Sequence, residues 1–296
     1  MKDYVIVSDS CCDLERPLRD KYSIEYIPMS FSIGEKSFPA SLDWERISVK
    51  QFYDTIRGGT RIITSQITSP QFCDSFRRFL DEGKDVLYLA CSSALSGSYK
   101  ASLDAVEKLS AQYPQSEIIC IDSLTSCYGL GLLCITASEL RQSGKSIKEV
   151  ARWIEENKLT VNQECCVDKL IYLKMAGRVS ASSAFFGGLL NIKPLLISDA
   201  KGQNVAIEKV KGKKNAVRRV AERTAERYKS LPYQHVLVSH SDCPEEAEEF
   251  KNIIAEALPD KDVEIHVGYI GPIVGASVGP GTLAVYFYGE KVTYNA

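Results

Sequence analysis

From Tyr4 onward, short unbroken apolar runs alternate with stretches whose apolar residues recur at helical spacing. Tyr4-Val5-Ile6-Val7 and Ile24-Glu25-Tyr26-Ile27-Pro28-Met29 read as strands, as do Val86 to Cys91 and Glu117 to Asp122. Ser48 to Arg57 reads as a helix closed by Gly58-Gly59. Thr68-Ser69-Pro70 opens another, with proline in its first turn and Phe72, Phe76, Phe79 and Leu80 on one face. Further helices are expected from about Gly97 to Gln112, up to Arg141 before Gly144, and over Ser146 to Asn157. Continuous apolar strands separated by helices predict a parallel sheet covered on both faces. Residues 1–160 therefore read as an α/β domain.

The pattern then changes. Ile192 to Ser198 and Val205 to Val210 flank Asp199-Ala200-Lys201-Gly202, which is a hairpin signal. Helices over Lys213 to Lys229 and Pro244 to Ala257 enclose the strand His235 to Ser239. Val263 to Val267 and Leu283 to Phe287 supply further strands. Hairpin pairing mixed with helices predicts an α+β domain with a largely antiparallel sheet over residues 161–296. The fold class is α/β for the first domain and α+β for the second.

Bulk composition changes this picture little. A chain of 296 residues is long enough for two ordinary domains. Lys+Arg 36 against Asp+Glu 38 leaves a net charge of −2, so no basic field favours nucleic acid. No segment reaches the roughly 18 apolar residues of a membrane span. The opening run turns acidic at Asp9 and lacks a signal-peptide pattern, so the chain reads as cytoplasmic. Ten cysteines include the adjacent pairs Cys11-Cys12 and Cys165-Cys166 but no CxxC, which points to reduced, buried thiols. Walker A, GxGxxG and metal-spaced His/Asp/Glu patterns do not occur, so neither cofactor nor metal is expected.

Candidate chemistry lies in polar turns after apolar runs. Cys91 to Ser102, CSSALSGSYKAS, follows the run Val86 to Ala90 and opens a helix after Ser96. Unpaired N–H groups of a first helical turn, with Gly97 and the Ser96 and Ser98 hydroxyls, would suit an anion. Ser96 would equally suit a helix cap. Thr64-Ser65-Gln66 and Ser8-Asp9-Ser10 are two further turns of this kind, and turns after different strands can face one crevice. Ser93 borders the first of them. Lys169 to Val179 is amphipathic and ends in Gly177-Arg178; Phe185, Phe186, Gly187 and Gly188 follow. These residues suit a long apolar cavity or ordinary core. Gly271-Pro272-Ile273-Val274-Gly275-Ala276-Ser277-Val278-Gly279-Pro280-Gly281 reads as a loop that brings backbone beside another loop or a ligand.

A serine-dependent acyl hydrolase or phosphotransferase using Ser96 is the enzymatic alternative, and a regulatory protein whose lipid is only structural is the other. Ser93-Ala94-Leu95-Ser96-Gly97 lacks the glycine two residues before a nucleophile-elbow serine. Of the three histidines, His240 follows a strand and is the candidate base, but nothing in the sequence pairs it with Ser96.

Taken in order, these blocks resemble the DegV family of bacterial fatty-acid-binding proteins. The matching residues are Ile6 to Ser10 with Asp13-Leu14, then Thr64-Ser65-Gln66, Ser92 to Tyr99, Leu173 to Ser180 and Gly271 to Gly281. The resemblance implies a non-catalytic carrier with one long-chain fatty acid, such as palmitate or stearate, between two domains. It implies a carboxylate held by Thr64, Ser96 and Gly97. Ser65, Ser93, Arg178, Phe185, Phe186, Gly187, Gly275 and Ser277 would lie around the pocket. It also implies presentation of the acid to a dihydroxyacetone-kinase-like, ATP-dependent subunit that makes acyl phosphate. Two positions depart from the family pattern. Ser277 stands where the family often has histidine, and Lys211 is nearest to a frequent arginine that it cannot replace as a bidentate donor. Burial of about 16 carbons at roughly 0.8 kcal/mol per CH₂ supplies on the order of 10 kcal/mol before ordering costs. The head group then has only to be oriented, which hydroxyls and backbone amides can do.

Overall fold

The computed structural model describes residues 2–182, 185 and 191–296. β1 (Tyr4–Asp9) is buried at every position, as expected of a strand covered on both faces. A 3-10 turn over Ser10–Cys12 and α1 (Arg16–Tyr22) lead into β2 (Ile24–Ile27). The chain then leaves the alternating pattern. β3 (Ser30–Ile33), β4 (Lys36–Pro39) and, after α2 (Val49–Arg57), β5 (Ile62–Ser65) form an antiparallel sheet in the order β4-β3-β5. Each of these strands is only four residues long, too short for alternation to stand out in sequence.

α3 (Ser69–Asp81), β6 (Asp85–Ala90), α4 (Ser98–Ser110), β7 (Ile118–Asp122), α5 (Tyr128–Gln142) and α6 (Ile147–Asn157) complete the first half. The expected apolar face of α3 is buried, with Phe72 and Phe76 at 5.0 and 5.9 Å from the Tyr88 ring of β6. Ser48 and Ser146 start α2 and α6 with reciprocal capping boxes to Gln51 and Glu149. The four-stranded sheet runs β2-β1-β6-β7 with every pair parallel. The chain leaves β1 toward β2 on one side and reaches β6 on the other. A crevice therefore opens beyond the ends of β1 and β6, where open α/β sheets bind ligands.

The second half comprises β8 (Val161–Cys166), α7 (Ile171–Ala176), β9 (Ile192–Ser198), β10 (Asn204–Lys211), α8 (Lys213–Arg227), β11 (Val236–His240), α9 (Pro244–Ala257), β12 (Ile265–Tyr269), α10 (Pro272–Val278) and β13 (Leu283–Tyr288). Its sheet runs β10-β9-β8-β13-β11-β12, antiparallel except for β11 with β12. The fold is thus α/β, with a parallel sheet and a second, largely antiparallel one. β8 carried no apolar run in sequence, yet all of Val161-Asn162-Gln163-Glu164-Cys165-Cys166 is buried. Arg223 of α8 makes this tolerable by a bidentate pair with Glu164, at 2.7 and 3.0 Å.

Two expectations are corrected. Thr64 and Ser65 lie inside β5, paired with Phe31 and Ser30, because the small sheet extends the strand past the apolar run. Gly271 to Gly281 is not a loop throughout. Gly271 caps α10, Pro272 occupies its first turn, and Gly279 ends it at φ 72°. Gly275 sits mid-helix because a Cβ there would strike the Tyr53 hydroxyl, which donates to Ile270 O at 2.8 Å. All ten cysteines are free, and only Cys120 and Cys243 are partly exposed. Among the described residues, no helix is long and apolar enough to cross a membrane, and no cluster of three or more metal-type ligands occurs.

Candidate fatty-acid site

The crevice beyond β1 and β6 is a cavity of about 410 Å³. Cys11 and Cys91 line it from the two strand ends, and Thr64 and Ser65 from β5 with Gln66 just after it. Ser96 and Gly97 line it where α4 begins. The opposite wall is Ile273, Val274, Ser277 and Val278 of α10, with Leu173 of α7, Arg178 and Asn204. The hairpin between β9 and β10 closes one side, where Ser92 Oγ donates to Gly202 O at 2.9 Å and Ser198 Oγ to Leu124 O at 3.1 Å.

Hydroxyls dominate the polar wall. Ser96 Oγ accepts from Ser98 N at 3.2 Å and donates to Ser98 Oγ at 3.1 Å, and Ser98 Oγ accepts from Ile67 N at 3.2 Å. This chain fixes the α4 start against the residues that follow β5, so Ser96 and Thr64 face one space. Gly97, not Ser96, is the N-cap, and Ser96 braces the turn from two residues away. The Thr64, Ser65 and Ser277 hydroxyls have no hydrogen-bond partner among the described residues. Arg178 brings a positive charge from the opposite wall, with Nε donating to Leu95 O at 3.1 Å and Nη1 to Ala176 O. Gly97 permits close approach, since a Cβ there would collide with the Gln66 side chain.

Two chambers adjoin this cavity. An outer one of about 290 Å³ shares Thr64, Arg178 and Ser277 and runs past Ile63, Tyr172 and Met175. Ile63 and Met175 are 56% and 46% exposed, so this side leads to solvent. An inner one of about 20 Å³ shares Ser126, Leu173, Asn204, Val274 and Val278. It runs under the second sheet against Cys165, Val167, Leu196 and Ala284.

Of the residues singled out in sequence, Thr64, Ser65, Ser96, Gly97, Arg178 and Ser277 are brought together here. Ser93 is exposed outside the lining, its N–H donating to Asp122 Oδ1 at 3.0 Å. Gly275 backs onto Tyr53 rather than the cavity. Phe185 packs partly buried beneath Lys209, 5.3 Å from its ring centre, and is not in the lining. Phe186, Gly187, Leu189 and Leu190 lie outside the described residues.

Ser8-Asp9-Ser10 does not face the crevice as expected, because all three are fully buried. Ser8 donates to Leu89 O, and Ser10 accepts from Met29 N. Asp9 accepts from Tyr88 OH, Cys91 N and Cys11 N at 2.8–2.9 Å. Burial pushes its carboxyl up, and these three donors oppose the shift.

The histidines lie elsewhere. His235 and His266 pair with Glu139 and Glu15 at 2.9 Å. His240 lies tilted against Tyr269, ring centres 4.4 Å apart, and accepts from Cys243 N, while burial pulls it down to about 4. No histidine lines the cavity with Ser96. The sequence reading missed Ser126 and Asn204. Ser126 has a signal, a polar Ser123-Leu124-Thr125-Ser126 turn after an apolar strand, whereas Asn204 inside a strand has none.

The DegV family model matches residues 3–290. A DegV domain-containing protein of Clostridium perfringens is 38% identical over 290 residues, spanning 98% of this chain and 99% of its own. A DegV fatty-acid-binding protein from Bacillus subtilis is 27% identical in structure comparison, with a TM-score of 0.82 over 98% of this chain and 100% of that one. A stearic-acid-binding protein from Eubacterium ventriosum is 25% identical, with a TM-score of 0.84 over 96% and 98%. Homologues of this architecture thus bind fatty acids, and this chain belongs to the DegV family.

Proposed function

We propose that the protein is a non-catalytic carrier of one long-chain fatty acid, held between the halves 1–160 and 161–296. The carrying observation is a single cavity with unpartnered hydroxyls and a helix start on one wall and apolar residues leading inward from it. Thr64 and Ser96 donate to the carboxylate, with the N–H groups at the start of α4 beside Gly97. The acyl chain runs along Leu173, Val274 and Val278 toward the inner chamber. Arg178 sets a positive potential at the head group without a buried one-to-one ion pair.

The carboxylate end lies beside the outer chamber, which shares Thr64, Arg178 and Ser277. That placement supports the second half of the reading: a dihydroxyacetone-kinase-like, ATP-dependent partner reaches the acid there and forms acyl phosphate. In such a complex Ser277 offers a hydroxyl where an imidazole would serve as a proton carrier.

Native mass spectrometry of protein purified from a bacterial host tests the carrier reading. The expected mass includes one long-chain acid, recoverable by solvent extraction. A clean apo mass with no extractable acid would sink it. Acid-dependent ATP consumption with a separately supplied kinase subunit tests the partner. If adding the loaded carrier leaves ATP turnover unchanged, the presentation role is wrong.

A further inference from the structure

We infer that the cavity, where it meets the inner chamber, is built for an acyl chain bearing a hydroxyl group partway along its length. This rests on the fatty-acid reading above and narrows its ligand to mid-chain hydroxylated long-chain acids. A tunnel for methylene groups alone would be apolar throughout, because polar groups facing a hydrocarbon lose their water without replacement. Here Ser126, Gln163 and Asn204 interrupt the apolar lining.

Their hydrogen bonds are incomplete in a particular way. Gln163 projects from β8 and its Nε2 donates to Asn204 Oδ1 at 3.2 Å. Asn204 Nδ2 donates in turn to Arg178 O at 3.2 Å. The network ends at Gln163 Oε1, which has no partner among the described residues. Ser126 Oγ likewise has none. Both residues are 6% exposed, and both line the inner chamber. Thr282, also in the lining, differs because its hydroxyl already reaches the carbonyls of Val278 and Gly279 at 3.3 Å.

The unpartnered set is therefore one acceptor, Gln163 Oε1, and one hydroxyl, Ser126, in a space otherwise walled by Val167, Leu196 and Val274. A secondary alcohol on the acyl chain matches it: its O–H donates to Gln163 Oε1 and its oxygen accepts from Ser126. A saturated chain would leave both groups dry and unpaired, which is the costly arrangement. Gln163 lines only the inner chamber and Ser126 lines both that chamber and the main cavity, so the matching hydroxyl sits where the two meet.

The test is competition on the delipidated full chain, read by native mass spectrometry. The ligands are stearic, 2-hydroxystearic, 10-hydroxystearic and 12-hydroxystearic acids. At least one mid-chain isomer is expected to be retained roughly tenfold over stearic acid, and 2-hydroxystearic acid to gain nothing. Ser126→Ala and Gln163→Met should each bring the mid-chain to stearic ratio within about twofold of unity. Folding of both variants is checked by thermal melting. Equal or preferred retention of stearic acid by the parent chain would overturn the inference, as would a preference that survives both substitutions. Retention of none of the four acids would instead remove the fatty-acid reading itself.

Discussion

Ser8-Asp9-Ser10 and the pair Thr64 with Ser96 look alike in sequence, each a short polar patch at the end of an apolar run. In the fold they have opposite fates. The first is buried and saturated, since three donors converge on Asp9 and both serine hydroxyls are bonded to backbone. Its role is to tie β1 to β6 and to the turn over Ser10–Cys12. In the second patch Thr64 keeps an unpaired hydroxyl at a cavity wall, and Ser96 is braced only by Ser98. A polar group whose bonds are complete holds the fold together, and one whose bonds are incomplete beside a cavity awaits a ligand.

The largest expected effect breaks the saturated patch. Asp9→Ala strands Tyr88 OH and the N–H groups of Cys11 and Cys91, and should cost about 3–5 kcal/mol in urea unfolding. A stable variant that has merely lost its acid would make Asp9 a ligand group and undo the contrast.

Next to Asp9 lies a carboxyl that lacks such donors. Both oxygens of Asp13 are buried with no partner in good hydrogen-bond geometry, and burial pushes it up to about 7 against the opposing pull of the Cys127 thiol and the Gly271 N–H. Between its unfolded value of about 3.9 and 7, the native state holds a proton that the unfolded chain has released. Stability should therefore fall as pH rises through that window and level off above it. The contribution is at most about 4 kcal/mol at 1.36 kcal/mol per unit. Asp13→Asn should flatten that part of the stability–pH curve. A variant curve parallel to that of the parent would show that Asp13 does not carry it.

The unsaturated patch predicts a different phenotype. Thr64→Ala and Ser96→Ala should each weaken acid retention about tenfold, and together on the order of a hundredfold. Melting of the ligand-free variants should shift by less than about 1 kcal/mol equivalent. Undiminished retention in the double variant would misplace the head group. The smallest effect is expected at Gly97→Ala. Its φ of −76° suits alanine, and the obstacle is the movable Gln66 side chain. Gln66 should swing into the cavity and lower affinity a few-fold, roughly 0.5–1 kcal/mol. A crystal structure with Gln66 unmoved would contradict this.

Much of the architecture was legible in the chain. The unbroken apolar runs of β1 and β6 and the face of α3 could belong only to buried elements, and the Asp199 to Gly202 signal did form a hairpin. Three things were not legible. The four-residue strands β3 to β5 carry too little pattern. β8 is polar, and its burial depends on Arg223 arriving from α8. Gly271 to Gly281 reads as a loop because its glycines are counted as turn formers. Two of them instead make room for Asp13 and Tyr53 across the helix surface.

The sequence by itself determined the order of elements and the residue types of the site, because hydrophobic periodicity and turn chemistry act between near neighbours. Which hydroxyls remain unpaired was decided only by tertiary structure. Asp9 and Thr64 differ in what packs against them from distant parts of the chain, as do Thr282 and Ser126. A side chain's hydrogen-bonding state is a property of that packing, and so is the cavity that gives the unpaired ones something to bind.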